Sequence, residues 1–537
     1  MNGTGAASAM TMLPRDMLAR CARNLPQKIA YCCGDDQRTW QQMHERSNAL
    51  ASALQALGVR KGDTVSILGK ESLAIYEHFF ACMKIGAIRV GVNWRYANPE
   101  ILHVLRDSST KLLLVESGCL DLKPLREDIE ALGIRLIGYG GNHDLSLDYE
   151  TLLSGVASPS PLLPQLTEDD DLLISYTSGT TGNSKGVLLS HGAVANSIVQ
   201  SLISRGYAPD DVWYMPAQSA WIVVVMGMFG LGNGMTHVIS KGVFDAARFL
   251  RDVEKWRVTT AVLPPVMFSR VIEEYKSGSY DVSSIRVLSF GSAPSSPKLI
   301  RDAHATFGCE LHQAYGMTEN AGCWATCLTP ADYHYALAHE PALLASVGRV
   351  GIMCEVSIRD GGGKPVPAGV AGEVWLKSAT LMKGYMNLPE QTAEVLRDGW
   401  LSSNDIGRID ERGYLYLLDR KKFMIITGGV NVFPAAVEAA VIEHPAVEEV
   451  AVLGIPCAEW GEAVVAVVKR KAGIKPPDIE ELSSFCQQRL SKVESPKHFL
   501  FMDELPRTST GKLQKHMLRE WLLANTHLLP WEIEDQR

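Results

Sequence analysis

Tyr176-Thr-Ser-Gly-Thr-Thr-Gly-Asn-Ser-Lys-Gly186 follows the apolar run Leu172-Leu-Ile-Ser-Tyr176, so a strand leads directly into a loop rich in glycine and hydroxyl groups. Such a loop can turn several backbone N–H groups and Ser/Thr hydroxyls toward one anion, with glycine allowing close approach and Lys185 adding a point charge. A polyphosphate is the natural guest, although loops of this composition also serve as plain flexible connectors. The Walker spacing, four residues between glycines followed by Gly-Lys-Ser/Thr, is absent, which disfavours a P-loop kinase or GTPase.

Outward from this loop the pattern is that of an α/β protein. Between Thr39 and Gly58, Trp40, Met43, Leu50, Leu54 and Leu57 fall on one helical face, with Ser47 completing the spacing. Thr39 and Gln42 form a capping box, and Gly58 suits a left-handed residue after the last turn. Val65-Ser-Ile-Leu68, Leu112-Leu-Leu-Val115 and Leu136-Ile137 are short apolar runs separated by helix-length segments, the signature of a largely parallel sheet covered on both faces. Ser158 to Asp171 reads as a surface loop. Downstream, Arg286-Val-Leu-Ser-Phe290 is a strand running into Gly291, and Glu373 to Leu418 shows the short glycine-punctuated runs of antiparallel structure. After Arg420 the pattern resets. Strands at Val450-Ala-Val-Leu453 and Val464–Val468 and helices at Ile479–Leu490 and Met517–Leu523 predict a separate small α+β domain from residue 421 to 537.

At about 150 residues per domain, 537 residues make roughly three or four domain-sized units. With 46% apolar and 21% charged residues, the chain is neither disordered nor a fibrous or disulfide scaffold. Its 52 basic residues against 60 acidic give a net charge of −8, and residues 421–537 carry 14 basic against 16 acidic, so no basic field invites nucleic acid. Eleven cysteines without a repeated spacing point to reduced thiols in a cytosol-like compartment, and the expected location is cytoplasmic. Cys323 and Cys327 lack a second pair at ligand spacing and read as core residues rather than half a zinc site. Met1 to Leu18 does not read as a secretory leader, and the terminal Asp-Gln-Arg is no peroxisomal address, whereas Arg15, Arg20 and Arg23 leave a faint presequence signal. Tyr214 to Ser240 holds no charged residue, but its strictly apolar run, Ala220 to Gly232, is 13 residues, short of the ~18 that span a bilayer. A buried helix beside a pocket is expected there, and no transmembrane segment.

The eleven-residue loop resembles the phosphate loop of the adenylate-forming (AMP-binding) superfamily, in particular its acyl-CoA synthetase and aryl-CoA ligase branch. The likeness continues in order through Gly291-Ser-Ala-Pro294, Tyr315-Gly-Met-Thr-Glu319, Gly372-Glu373, Asp405 with Arg420, and Pro506-Arg-Thr-Ser-Thr-Gly-Lys512. The resemblance implies a large N-terminal adenylation domain, residues 1–420, of packed α/β sheets with a small β-barrel-like part. A small mobile α+β domain, residues 421–537, would carry the catalytic lysine. It also implies a two-step reaction. A carboxylate attacks the α-phosphate of ATP and releases pyrophosphate, then a thiol, usually that of CoA, takes the acyl group from the acyl-adenylate.

Two anions must approach each other in the first step, so charge neutralisation and positioning supply most of the catalysis. By matching motif positions, Thr177, Ser178, Gly179, Thr180, Thr181, Gly182 and Lys185 would hold the phosphates, and Thr318 would touch the α-phosphate. Glu319 would bind Mg²⁺, a hard cation that favours carboxylate and phosphate oxygens. Tyr315, followed by Gly316, would stack on adenine, with Gly291, Ser292 and Ala293 as the opposite wall. Asp405 would accept from the ribose hydroxyls with Arg420 nearby. Lys512 would contact the acyl carboxylate and α-phosphate during adenylation. Lys422 matches the hinge of a domain rotation that removes Lys512 and brings in Thr427-Gly-Gly-Val430, where Gly429 would let the pantetheine arm of CoA pass close to the backbone.

Some positions depart from the family. Ser403-Asn404 stands where Thr-Gly is common, and Phe423 and Val430 stand where acidic residues are common. At the acyl pocket, Met215-Pro-Ala-Gln-Ser219 and Trp221 replace the aromatic or His of many relatives. The apolar stretch from Trp221 to Gly232 favours a fatty or aryl acid over an amino acid, but core packing explains the same residues equally well. Two readings stand. The chain is a carboxylate–CoA ligase using ATP, Mg²⁺ and CoA, or an adenylation-only protein or acyl-AMP binder that hands the acyl group to a carrier protein. The oligomeric state, a homodimer included, is left open.

Overall fold

The expected helix after Thr39 forms over Trp40–Ala56, with Thr39 Oγ1 accepting from Gln42 N at 3.2 Å and Gln42 Oε1 accepting from Thr39 N at 2.9 Å. A cap of this kind contributes about 1 kcal/mol. Gly58 follows at φ +89°. The structure is a computed structural model that describes residues 12–119, 123–155, 160–177, 184–293, 295–475, 477–507 and 513–531. The chain divides into two compact units, one comprising residues 1–356 and 376–401, the other residues 357–375 and 402–537.

The first unit holds two large sheets. In the seven-stranded one, Ile88–Val92, Thr64–Leu68, Thr110–Glu116 and Arg135–Tyr139 run parallel, and the strand Asp171–Thr177 joins them beside Ile88–Val92. Asp171–Thr177 then turns back antiparallel into Lys185–Ser190. The nine-stranded sheet has Val212–Tyr214, Thr260–Leu263, Val287–Phe290 and Glu310–Tyr315 side by side and parallel. Burial on both faces explains why runs such as Leu112–Val115 and Val287–Phe290 are largely apolar rather than alternating. Cys323 and Cys327 are buried among them.

The buried helix expected on the run Ala220 to Gly232 is instead two single turns, Val223–Met226 and Gly230–Asn233. A run of three valines and repeated glycines is a poor helix former. The glycines answer to packing: a Cβ on Gly227 would lie 2.2 Å from the Tyr76 hydroxyl, and one on Gly230 would lie 2.6 Å from the Met235 carbonyl. Among the described residues no helix is long and apolar enough to cross a membrane.

The second unit contains most of the antiparallel pair Trp400–Ile409 and Leu415–Arg420, part of a five-stranded sheet. Its C-terminal part builds another five-stranded sheet around Val447–Cys457 and Gly461–Arg470, covered by the helices Pro434–Val441, Ile479–Gln487 and Lys515–Ala524. The whole is a mixed α/β protein with a large N-terminal sheet domain and a small C-terminal one.

Candidate active site

Val287–Phe290 and Glu310–Tyr315 are parallel neighbours, with Phe290 opposite Gln313, so Gly291–Ala293 and Tyr315 emerge together at the carboxyl ends of adjacent strands. That is where open α/β sheets bind ligands. Tyr315 is buried, and Ser292 and Ala293 are exposed. Ser292 sits at φ +69°, a conformation that non-glycine residues seldom adopt. After Tyr315 the chain doubles back so tightly that a Cβ on Gly316 would lie 2.1 Å from the Cys323 carbonyl oxygen. Buried Asn320 pins this turn: its Oδ1 accepts from Met317 N at 2.9 Å and its Nδ2 donates to Cys323 O at 3.0 Å. The 3₁₀ turn Thr318–Asn320 thereby holds Thr318 and Glu319 half-buried at the surface.

Thr177 and Lys185 face each other where the two antiparallel strands part. Ser178, Gly179, Thr180, Thr181 and Gly182 lie outside the described residues. Lys185 Nζ stands 5.1 Å from the centroid of the Tyr385 ring, a cation–π contact. The Tyr385 hydroxyl donates to Glu319 Oε1 at 3.0 Å, and Met382 N donates to the Glu319 carbonyl at 2.8 Å. One tyrosine thus connects the cation of the glycine loop to the carboxylate of the Thr318–Glu319 turn. Nothing in the sequence spacing marks Tyr385, which is brought in by the two-residue strand Gly384–Tyr385 pairing with Val187 and Leu188.

Among the described residues no group of three His, Cys, Asp or Glu side chains gathers into a metal cage. A Mg²⁺ ion on Glu319 would therefore complete its shell with phosphate and water oxygens, the usual arrangement for this hard, strongly hydrated ion. The residues present fit that mode of binding.

In the Met215–Trp221 segment, Ser219 is buried and Trp221 half-buried, its indole beside the Tyr96 hydroxyl. The Gln218 amide, oriented by its neighbours, donates to Asn93 Oδ1 at 2.9 Å and accepts from Trp94 Nε1 at 3.0 Å. Residues 93–96 and 218–221 therefore form one aromatic-rich cluster.

In the second unit, Asp405 and Arg420 are cross-strand partners, with Arg420 Nε 2.7 Å from Asp405 Oδ1. Asp405 is largely buried, whereas Arg420 is exposed, so the pair presents its cation outward. Asn404 adopts φ +57°, the left-handed region. Asparagine tolerates it better than most side chains, which explains how Ser-Asn can stand where the family has Thr-Gly. Glu373 accepts from Ser402 Oγ at 2.6 Å and from Lys421 Nζ at 3.3 Å, placing it beside the predicted hinge. Lys422 is the middle residue of the 3₁₀ turn Lys421–Phe423. Gly428 and Gly429, at φ +57° and +78°, form a two-residue hairpin between Thr427 and Val430, a turn that demands positive φ at both positions. A Cβ on Gly429 would meet nothing within 4 Å. Lys512 lies outside the described residues; Arg507 and Leu513, on either side of its loop, pair antiparallel.

Residues 18–386 match the model of the AMP-binding enzyme family and residues 436–512 that of the AMP-binding enzyme C-terminal domain. The chain belongs to the AMP-binding enzyme family. The family relatives include the fatty acid–[acyl-carrier-protein] ligase ScoC of Streptomyces coeruleorubidus, 34% identical over 93% of this chain and 94% of its own length. The indoleacetate–CoA ligase of Aromatoleum aromaticum is 35% identical over 89% of this chain and 92% of its own. Among solved structures, o-succinylbenzoate CoA synthetase of Bacillus subtilis, in complex with its acyl-adenylate, superposes with a TM-score of 0.82 at 28% identity. That match covers 94% of this chain and 97% of the synthetase. As a family member carrying both matched segments, the chain is an AMP-forming acyl-CoA ligase, and ATP and CoA are substrates of the family.

Proposed function

We propose that the protein activates an apolar, aryl or fatty carboxylic acid as its acyl-adenylate on Mg²⁺-ATP and transfers the acyl group to CoA. The observation that carries this reading is the ordered match of both family segments. It is supported by the placement of Tyr315, Thr318 and Glu319 on one tight turn with Lys185 nearby. Residues 1–420 act as the adenylation domain and residues 421–537 as the mobile domain. Thr177 to Gly182 and Lys185 neutralise the leaving phosphates, Thr318 steadies the α-phosphate, Glu319 offers its carboxylate to Mg²⁺, and Tyr315 and Gly291–Ala293 clasp adenine. Mg²⁺ supplies further neutralisation of the phosphate charge when bound. Trp94, Tyr96 and Trp221, the aromatic members of the cluster of residues 93–96 and 218–221, favour an aryl acid over a straight chain. The work is cytoplasmic. Transfer to a carrier protein is the second reading, favoured by the likeness to a carrier-protein ligase.

The test is a panel of carboxylic acids with ATP, measuring AMP release with and without CoA. Within it, Asp405→Ala is expected to raise KM for ATP about 10-fold or more, because two ribose hydroxyls lose a charged acceptor, while KM for the acid stays unchanged. An unchanged KM for ATP would remove Asp405 from the nucleotide site.

A further inference from the structure

Ile88-Arg89-Val90-Gly91-Val92 is an interior strand, paired with Thr64–Leu68 on one side and Asp171–Thr177 on the other, yet it carries an arginine that is wholly buried. Glu71, just past the end of the neighbouring strand, is buried as well. The two side chains meet one residue. Arg89 Nη2 donates to the Ser219 carbonyl at 2.8 Å, and Glu71 Oε1 accepts from Ser219 N at 2.7 Å and from Ser219 Oγ at 2.9 Å. Backbone donor, backbone acceptor and hydroxyl of Ser219 are all engaged by these two groups. The segment also lies directly on the strand, since a Cβ on Gly91 would come within 2.7 Å of Ala220 Cα.

Burying two opposite charges costs several kcal/mol of desolvation per ion, and such a pair seldom stabilises a fold more than apolar packing would. Arg89 Nε and Nη1 make no hydrogen bond, so the pair is poorly optimised for stability. What it accomplishes is local. Residues 215–222 belong to no strand or helix, and without a ladder of backbone bonds their path depends on side chains that reach them.

We infer that Glu71 and Arg89 are positioning residues of the acyl pocket, clamping Ser219 so that the pocket wall it forms stays fixed and selects the acid. This rests on the proposed placement of Ser219 and Trp221 at that pocket. The clamp acts on acid binding and leaves the nucleotide untouched.

The decisive variant replaces both charges together, Glu71→Leu with Arg89→Met, so that neither is left buried alone. With the acid that gives the fastest pyrophosphate exchange, KM for the acid is expected to rise about 10-fold or more, and preference among acids of different width to narrow. KM for ATP and the melting temperature are expected to stay close to wild type. Unchanged acid KM and preference overturn the inference, as does an equal rise in both KM values, which would mark a merely structural role. If the double variant does not fold, Ser219→Ala decides. Losing the hydroxyl bond is expected to shift acid KM about 3-fold, and no shift overturns the clamp. Trp221→Ala separates the two levels of the reading. If it shifts acid KM while the clamp variants do not, only the clamp fails; if none of them does, the pocket itself is misplaced.

Discussion

Replacing Lys512 by alanine is expected to slow acyl-adenylate formation by about 10²-fold or more, comparable to removing one preorganised charge stabiliser. The carboxylate and the α-phosphate repel each other as they approach, and a lysine at that point offsets a repulsion that is greatest while the bond is forming. Transfer of the acyl group from supplied acyl-adenylate to CoA is expected to change far less, because the proposed domain rotation would remove Lys512 from the centre before that step. Single-turnover rates for the two half-reactions, measured separately, check this. Equal losses in both would show that Lys512 is not confined to adenylation.

A proline at position 422 is expected to separate the same two half-reactions by a different route. Lys422 occupies the middle of a 3₁₀ turn, where φ near −60° matches what the pyrrolidine ring imposes. Lys422→Pro therefore holds one backbone setting and resists the change that a rotating domain requires. Pyrophosphate exchange is expected to survive while acyl transfer to CoA falls by about 10²-fold. A folded variant with both half-reactions at the wild-type rate would show that the backbone does not turn here, and would move the boundary drawn at residue 420.

Local features were legible in the sequence because they depend on neighbours. The Thr39–Gln42 capping box forms as its spacing predicts, and the apolar runs at Val65–Leu68, Leu112–Val115 and Val287–Phe290 are parallel strands. What spacing could not show is contact across distance. Tyr385 meets a carboxylate 66 residues earlier, and Ser219 meets one 148 residues earlier. Arg89 did leave a signal, a charge inside an otherwise apolar buried strand, which is anomalous on burial grounds alone. The stretch after Trp221 misled because an apolar run is compatible with any buried structure, and the glycine contacts that break it into two turns involve Tyr76 and Met235.

The most direct measurement is acid-dependent exchange of labelled pyrophosphate into ATP, run with folded protein, Mg²⁺ and a broad set of aryl and fatty acids, followed by addition of CoA. An AMP-forming carboxylate–CoA ligase gives exchange with at least one acid, then AMP and an acyl-CoA thioester in equal amounts once CoA is added. Exchange with no thioester would move the acyl acceptor from CoA to a carrier protein, and no exchange with any acid would contradict the enzyme itself.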